Sequence, residues 1–232
     1  MSKDLYDKIY ETLENADFPI KFFKYLEKNY TVIVFGGCVR DFLFFRGDVR
    51  FRDLDYVICG MENNEKLIDL VNESFEAQEI HVNQFGGVKI VEKDISIDCW
   101  RLEDTYAFRK GKIQSIDVEH LLDTPMLNID KYAYILNTKE YLNECNVHEF
   151  PKEIRFNLYI EDILELNLIR ALIYSKKYGI KLSKPVREKI KMVYNDETRR
   201  KKIYQCQIDH YKTCIIDLDK ISQEIEEEYM DD

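Results

Sequence analysis

Two aspartates one residue apart, in Arg52-Asp53-Leu54-Asp55, are the side chains most able to do chemistry. They open a run of β-formers, Asp53 to Cys59, and alternation along a strand puts both carboxylates on one face with Leu54 on the other. Two carboxylates held side by side repel unless a cation lies between them. Hard divalent ions such as Mg²⁺ take such oxygens and share them with substrate phosphates. The complement lies upstream, where a β-type run, Thr31 to Phe35, stops at Gly36-Gly37. Without Cβ atoms the backbone can approach a ligand closely, and N–H groups at a strand-to-helix turn attract anions. Arg40, at the start of the following helix, is predicted to reach a triphosphate. The pattern points to phosphoryl or nucleotidyl transfer.

A third carboxylate follows on another strand. In Ile95-Ser96-Ile97-Asp98-Cys99-Trp100, alternation separates Ile95, Ile97 and Cys99 from Ser96, Asp98 and Trp100. An aspartate within an apolar strand needs a cation, a hydrogen-bond partner or water. Arg101 comes three residues later.

The elements that must position these residues can be read from periodicity. Helices are expected on either side of Asp17 and Pro19 within 4–29, and over 63–75. Strands are expected at 31–35, 53–59, 78–82, 86–91 and 94–100. A long apolar helix over 157–180 ends at Gly179. This order predicts an α/β (α+β) head with a mixed sheet of about five strands over residues 1–150, then a small helical region over 151–232.

Gly36-Gly37-Cys38-Val39-Arg40-Asp41 followed by Arg52-Asp53-Leu54-Asp55 resembles the head domain of the poly(A) polymerase and tRNA nucleotidyltransferase (CCA-adding) family, within the polymerase β superfamily. Gln84-Phe85-Gly86-Gly87-Val88-Lys89 is similar to that family's Phe-Gly segment beside the nucleotide. The resemblance implies a polymerase β-like head followed by a helical neck. It also implies transfer of a nucleoside monophosphate from an NTP, ATP among them, to an acceptor hydroxyl. Asp53, Asp55 and Asp98 would be catalytic and hold two Mg²⁺; Gly36, Gly37, Arg40 and Arg101 would bind the nucleotide. The implied acceptor is RNA, a tRNA 3′ end.

The chain departs from the family in two places. Aligned on Ala133-Tyr134, the Arg-Arg-Asp motif that helps hold the sugar-phosphate becomes Thr124, Pro125 and Met126, and Asp130 takes an Asn position. In the neck helix, the charged triad that reads the incoming base falls on Ile163, Leu164 and Asn167, with Glu161-Asp162 two residues early. Recognition of C and A is therefore not expected to carry over.

Composition narrows the remaining classes. The formal net charge is −10, yet residues 217–232 hold eight acids against one base and account for −7 of it. Lys181 to Lys202 is basic, and with Tyr194 and Tyr204 it can serve as an RNA-backbone patch or as a solvated helical face. The six cysteines (38, 59, 99, 145, 206 and 214) show no metal spacing and are expected to be reduced thiols. No apolar run is long enough for a membrane span, and the N-terminus lacks an apolar signal core, so a cytoplasmic protein is expected. Two other classes fit the same residues: a nucleotidyltransferase that modifies a protein or small molecule, and a non-catalytic nucleotide-sensing or partner-binding module.

Overall fold

The computed structural model describes residues 4–75, 79–83, 86–142 and 150–217. The chain forms two compact units, one of residues 1–125 with 130–150 and the other of residues 126–129 with 151–232.

The first unit begins with helices α1 (Leu5–Asn15) and α2 (Ile20–Asn29). Strand β1 (Thr31–Phe35) runs into helix α3 (Gly37–Phe44), and strand β2 (Asp53–Cys59) returns to helix α4 (Asn64–Ser74). A meander of β3 (Glu79–Val82), β4 (Val88–Glu92) and β5 (Ile95–Arg101) follows, then short helix α5 (Tyr106–Arg109), β6 (Ala133–Ile135) and β7 (Glu140–Tyr141). These strands make one seven-stranded sheet in the order β3-β4-β5-β2-β1-β6-β7. Only β2 and β5 pair in parallel; the other pairs are antiparallel. A parallel pair needs a crossover, and the α4–β3–β4 excursion supplies it. The sheet exceeds the five strands expected, because β6 and β7, three and two residues long, are too short for alternation to register.

The two sheet faces differ in kind. One is covered along its length by α1 to α4: Leu5, Ile9, Leu13, Phe22, Phe23, Leu26, Val39 and Leu67 pack on Val32, Val34, Leu54, Tyr56, Ile58, Ile90, Ile97 and Cys99. On the other, Ile33, Val57 and Ala133 are buried with Leu102, Phe108, Leu121 and Leu122, beside Trp100. Following β2 back toward its start on that second face, the apolar cover stops: Val57 is buried, Asp55 half-buried and Asp53 exposed. The carboxylates thus stand where the second face opens to solvent.

In the second unit, β8 (Glu153–Ile154) pairs in parallel with β9 (Lys181–Leu182), around helix α6 (Leu164–Tyr178). Helices α7 (Lys184–Tyr194) and α8 (Glu197–Tyr211) follow. The long helix expected from residue 157 starts later, after a 3₁₀ turn at Glu161–Ile163. Residues 155 to 157 are held extended: Asn128 N–H donates to Arg155 O at 3.0 Å and Asn157 N–H to Met126 O at 2.8 Å. Backbone groups bonded sideways cannot close a helical turn. The helix ends as expected, with Gly179 left-handed at φ 66°. Among the described residues, no helix is long and apolar enough to cross a membrane.

Candidate active site

Strand register brings the three aspartates onto one patch. Asp55 lies opposite Asp98 in the parallel β2–β5 pair, and Asp53 lies opposite Ser96. On the far side of β5, Lys89 of β4 lies opposite Asp98. Directly opposed side chains on neighbouring strands are within contact reach. The resulting network is continuous: Lys89 Nζ donates to Asp98 Oδ2 at 2.8 Å and to Ser96 Oγ at 3.2 Å, and Ser96 Oγ in turn donates to Asp53 Oδ1. Partial burial works to lower the Lys89 pKa, but the hydrogen bond to Asp98 and the charges of Asp98, Asp53 and Asp55 outweigh it, so the ammonium is held above the ordinary lysine range.

The glycine turn sits beside the same patch. Phe35 pairs with Asp55 across the β1–β2 ladder, so the next residue, Gly36, turns the chain next to that carboxylate. Its backbone takes φ 73° and ψ −124°, a region open to glycine alone, and a Cβ there would lie 3.9 Å from Asp55 Oδ2. Gly36 N–H is spoken for, donating to Tyr132 O at 2.7 Å. The backbone N–H groups left without helical partners at this turn are those in the first turn of α3.

Arg40, expected to reach a triphosphate, is turned inward in this structure. Its side chain is only 4% exposed and is clamped by two carboxylates, Asp41 at 2.9 Å and Asp130 at the end of the guanidinium. A Cβ at Gly37 would lie 3.4 Å from Arg40 Nη2, an ordinary contact, so the clamp does not depend on glycine at that position. The arginine joins α3 to the segment before β6, the same segment whose Tyr132 carbonyl accepts from Gly36. It shapes the turn from behind.

Neither a family model nor a curated protein matches the sequence. Solved structures do match in fold. A CCA-adding enzyme with CTP superposes at a TM-score of 0.59 and 16% identity, over 97% of this chain and 55% of that one. One with ATP gives 0.56 and 17%, over 87% and 50%. The Thermotoga maritima CCA-adding enzyme complexed with tRNA gives 0.54 and 16%, over 86% and 48%. This chain has the nucleotidyltransferase head-domain fold of the CCA-adding enzymes. It spans about half the length of the enzymes it matches.

Within that head-domain fold, Asp53, Asp55 and Asp98 come together beside Gly36 and Gly37, whereas Arg101 does not join them. Its position on β5 alternates away from Asp98, and its guanidinium is held by Glu62 O at 2.8 Å and Asp104 at 3.0 Å. Lys89, the last residue of the segment likened to the family's Phe-Gly segment, and Ser96 enter the site without having been assigned a role in it. Alternation already put Ser96 on the Asp98 face, but the β4–β5 register that delivers Lys89 has no sequence signature. Four of the six departures from the family's motifs fall on buried positions and two, Pro125 and Ile163, on half-buried ones: Thr124 donates to Leu121 O at 2.7 Å, Met126 and Leu164 are buried, and Asn167 donates to Ile163 O at 2.8 Å. Gln84 and Phe85, of the Phe-Gly segment, lie outside the described residues, as do Cys145 and the acidic stretch beyond 217.

The oxygen-only donor set of Asp53 and Asp55, half open to solvent and next to the glycine turn, fits a hard divalent cation that keeps positions for water and phosphate. Among the described residues, no three His, Cys, Asp or Glu side chains already converge as a ligand cluster; Asp53 and Asp98 are engaged by Ser96 and Lys89 instead. The nearby thiols are not reactive groups. Burial, reinforced by the charge of Asp55, pushes the Cys38 pKa up; burial with Asp98 and Asp55 does the same for Cys99; and burial raises Cys59 to about 12.

Proposed function

We propose that this protein is a metal-dependent nucleotidyltransferase that moves a nucleoside monophosphate from an NTP to an acceptor hydroxyl on RNA, a tRNA-like 3′ end, in the cytoplasm. The observation that carries this reading is the register placing Asp55 opposite Asp98, with Asp53 two residues away and the Gly36 turn alongside. The head-domain fold supports it, as do the ATP, CTP and tRNA complexes of the matching enzymes.

In this mechanism the first turn of α3 receives the β- and γ-phosphates on its N–H groups. Mg²⁺ held by Asp53 and Asp55 would draw charge from the triphosphate and polarise the α-phosphoryl group. Asp98 orients the acceptor hydroxyl and takes its proton. The acceptor oxygen forms a bond to the α-phosphorus, the bond to the β-phosphate oxygen breaks, and pyrophosphate leaves with that electron pair. The two-ion arrangement implied by the sequence resemblance would require Asp98 to turn from Lys89 toward a second ion. Because Ile163, Leu164 and Asn167 replace the base-reading triad, a single preferred base or relaxed choice replaces ordered C, C, A addition.

RNA phosphates would meet the basic helices of the second unit. Lys181, Lys184, Lys191, Arg200 and Lys202 are exposed there. Incubation with each α-labelled NTP, Mg²⁺ and total cellular RNA tests the reading: label in RNA supports it. Label only in protein or small molecules would leave the transfer chemistry and overturn the acceptor.

A further inference from the structure

The arrangement of charge around Asp98 is unusual for a pair of divalent ions. Asp98 has a carboxylate neighbour on one side, Asp55 of β2, and an ammonium on the other, Lys89 of β4. Lys89 reaches both functional side chains of β5, at 2.8 Å from Asp98 Oδ2 and 3.2 Å from Ser96 Oγ. Through Ser96 the network extends to Asp53. The lysine is part of the carboxylate patch and flanks it on the β4 side, with Asp55 at the opposite side, next to the Gly36 turn.

We propose that Lys89 supplies one of the two positive centres of this site, so that the chain binds a single divalent ion at Asp53 and Asp55. The inference rests on reading the site as metal-dependent. Three carboxylates and one ammonium leave a net charge of −2 on the protein's own groups, which one divalent ion balances before the charge of a nucleotide is added. A second ion would have to compete with an ammonium already bonded to Asp98. The covalent tether favours the ammonium, because a side chain fixed on the neighbouring strand loses little further freedom on staying there. Lys89 is a positioning residue in this view. It holds the Asp98 carboxylate and the Ser96 hydroxyl in place, with Ser96 steadying Asp53.

Lys89 lies on β4, between β3 and β5, and its side chain is 41% exposed. Its removal therefore opens no core cavity, and Lys89→Met is expected to fold. Lys89→Arg keeps the positive charge and serves as the conservative variant.

The experiment counts bound ions directly, by electron paramagnetic resonance titration of Mn²⁺ into the full chain with a non-hydrolysable NTP analogue present in excess. Free analogue also binds Mn²⁺, so a matched titration without protein is subtracted. The expected result is one protein-dependent ion per chain for the parent and for Lys89→Arg, rising by one in Lys89→Met. Adding Asp98→Asn to Lys89→Met should remove the extra ion. Circular dichroism of each variant checks that a changed count does not reflect unfolding. Two ions in the parent, or an unchanged count in Lys89→Met, overturns the inference while leaving the nucleotidyltransferase reading intact. Absence of both Mn²⁺ and nucleotide binding in the folded parent overturns the functional reading itself, and this inference with it.

Discussion

Two charged regions, the carboxylate patch of the first unit and the basic run of the second, are organised in opposite ways. On β2 and β5 like charges are forced together by strand register, Asp55 against Asp98, above a sheet whose other face is sealed by helices. Their compensation comes from a lysine and a serine on the same face. In the basic run, charge is dissipated locally: Arg199 pairs with Glu161 at 2.7 Å and lies 3.7 Å from Glu165, and Lys201 pairs with Glu197 at 2.8 Å. Arg200 lies over the Tyr194 ring. Like charges held together on a packed sheet repel unless a cation offsets them, and this is why we read the patch as the site. Alternating charge on helix surfaces is what solvent-facing helices ordinarily carry.

The largest expected effect breaks the first region. Asp53→Asn or Asp55→Asn should lower transfer by about 100-fold or more, the scale of losing one preorganised electrostatic group, while circular dichroism is unchanged. Replacing Arg199 and Lys201 by Ser should leave the rate within about twofold, since exposed, paired charges contribute little. Parent-like transfer in either aspartate variant would remove the basis for the comparison.

The next effect concerns what holds the patch in place. Arg40→Ala leaves Asp41 and Asp130, both mostly buried, facing each other without their shared cation. Breaking such a pair should cost about 3 kcal/mol in urea unfolding. A loss below about 1 kcal/mol would mean that Arg40 does not organise the turn. Gly36→Ala should cost about 1–3 kcal/mol, because its φ of 73° with ψ of −124° is strained for any L side chain even though space exists for a methyl group. A neutral Gly36→Ala would show that the turn can relax.

The smallest effect sharpens the second region. If RNA phosphates meet this face, Arg200→Ser and Lys202→Ser should each reduce the slope of log affinity against log salt by about one. Arg199→Ser and Lys201→Ser, whose charges are neutralised within the protein, should change it less. Equal slopes for all four variants and the parent, measured by fluorescence anisotropy on a tRNA-like probe, would identify the run as a solvated surface.

Local pattern was enough to place β1, β2, β5, α4 and the Gly179 cap, because each rests on alternation, helical period or glycine's backbone freedom within a few residues. Asp53, Asp55 and Asp98 could be put on strand faces for the same reason, and Gly36-Gly37 at a turn. Pairing is not local. Which strand lies beside which, and in what register, is set by how the apolar faces of several elements fit together across the whole unit. Only that fit brought Lys89 to Asp98 and Ser96 to Asp53, and only it turned Arg40 inward. Arg40 illustrates the limit best: an arginine after a glycine pair has the same sequence signature whether or not it meets a buried aspartate, and its contact with Asp130, ninety residues away, exists only in the fold.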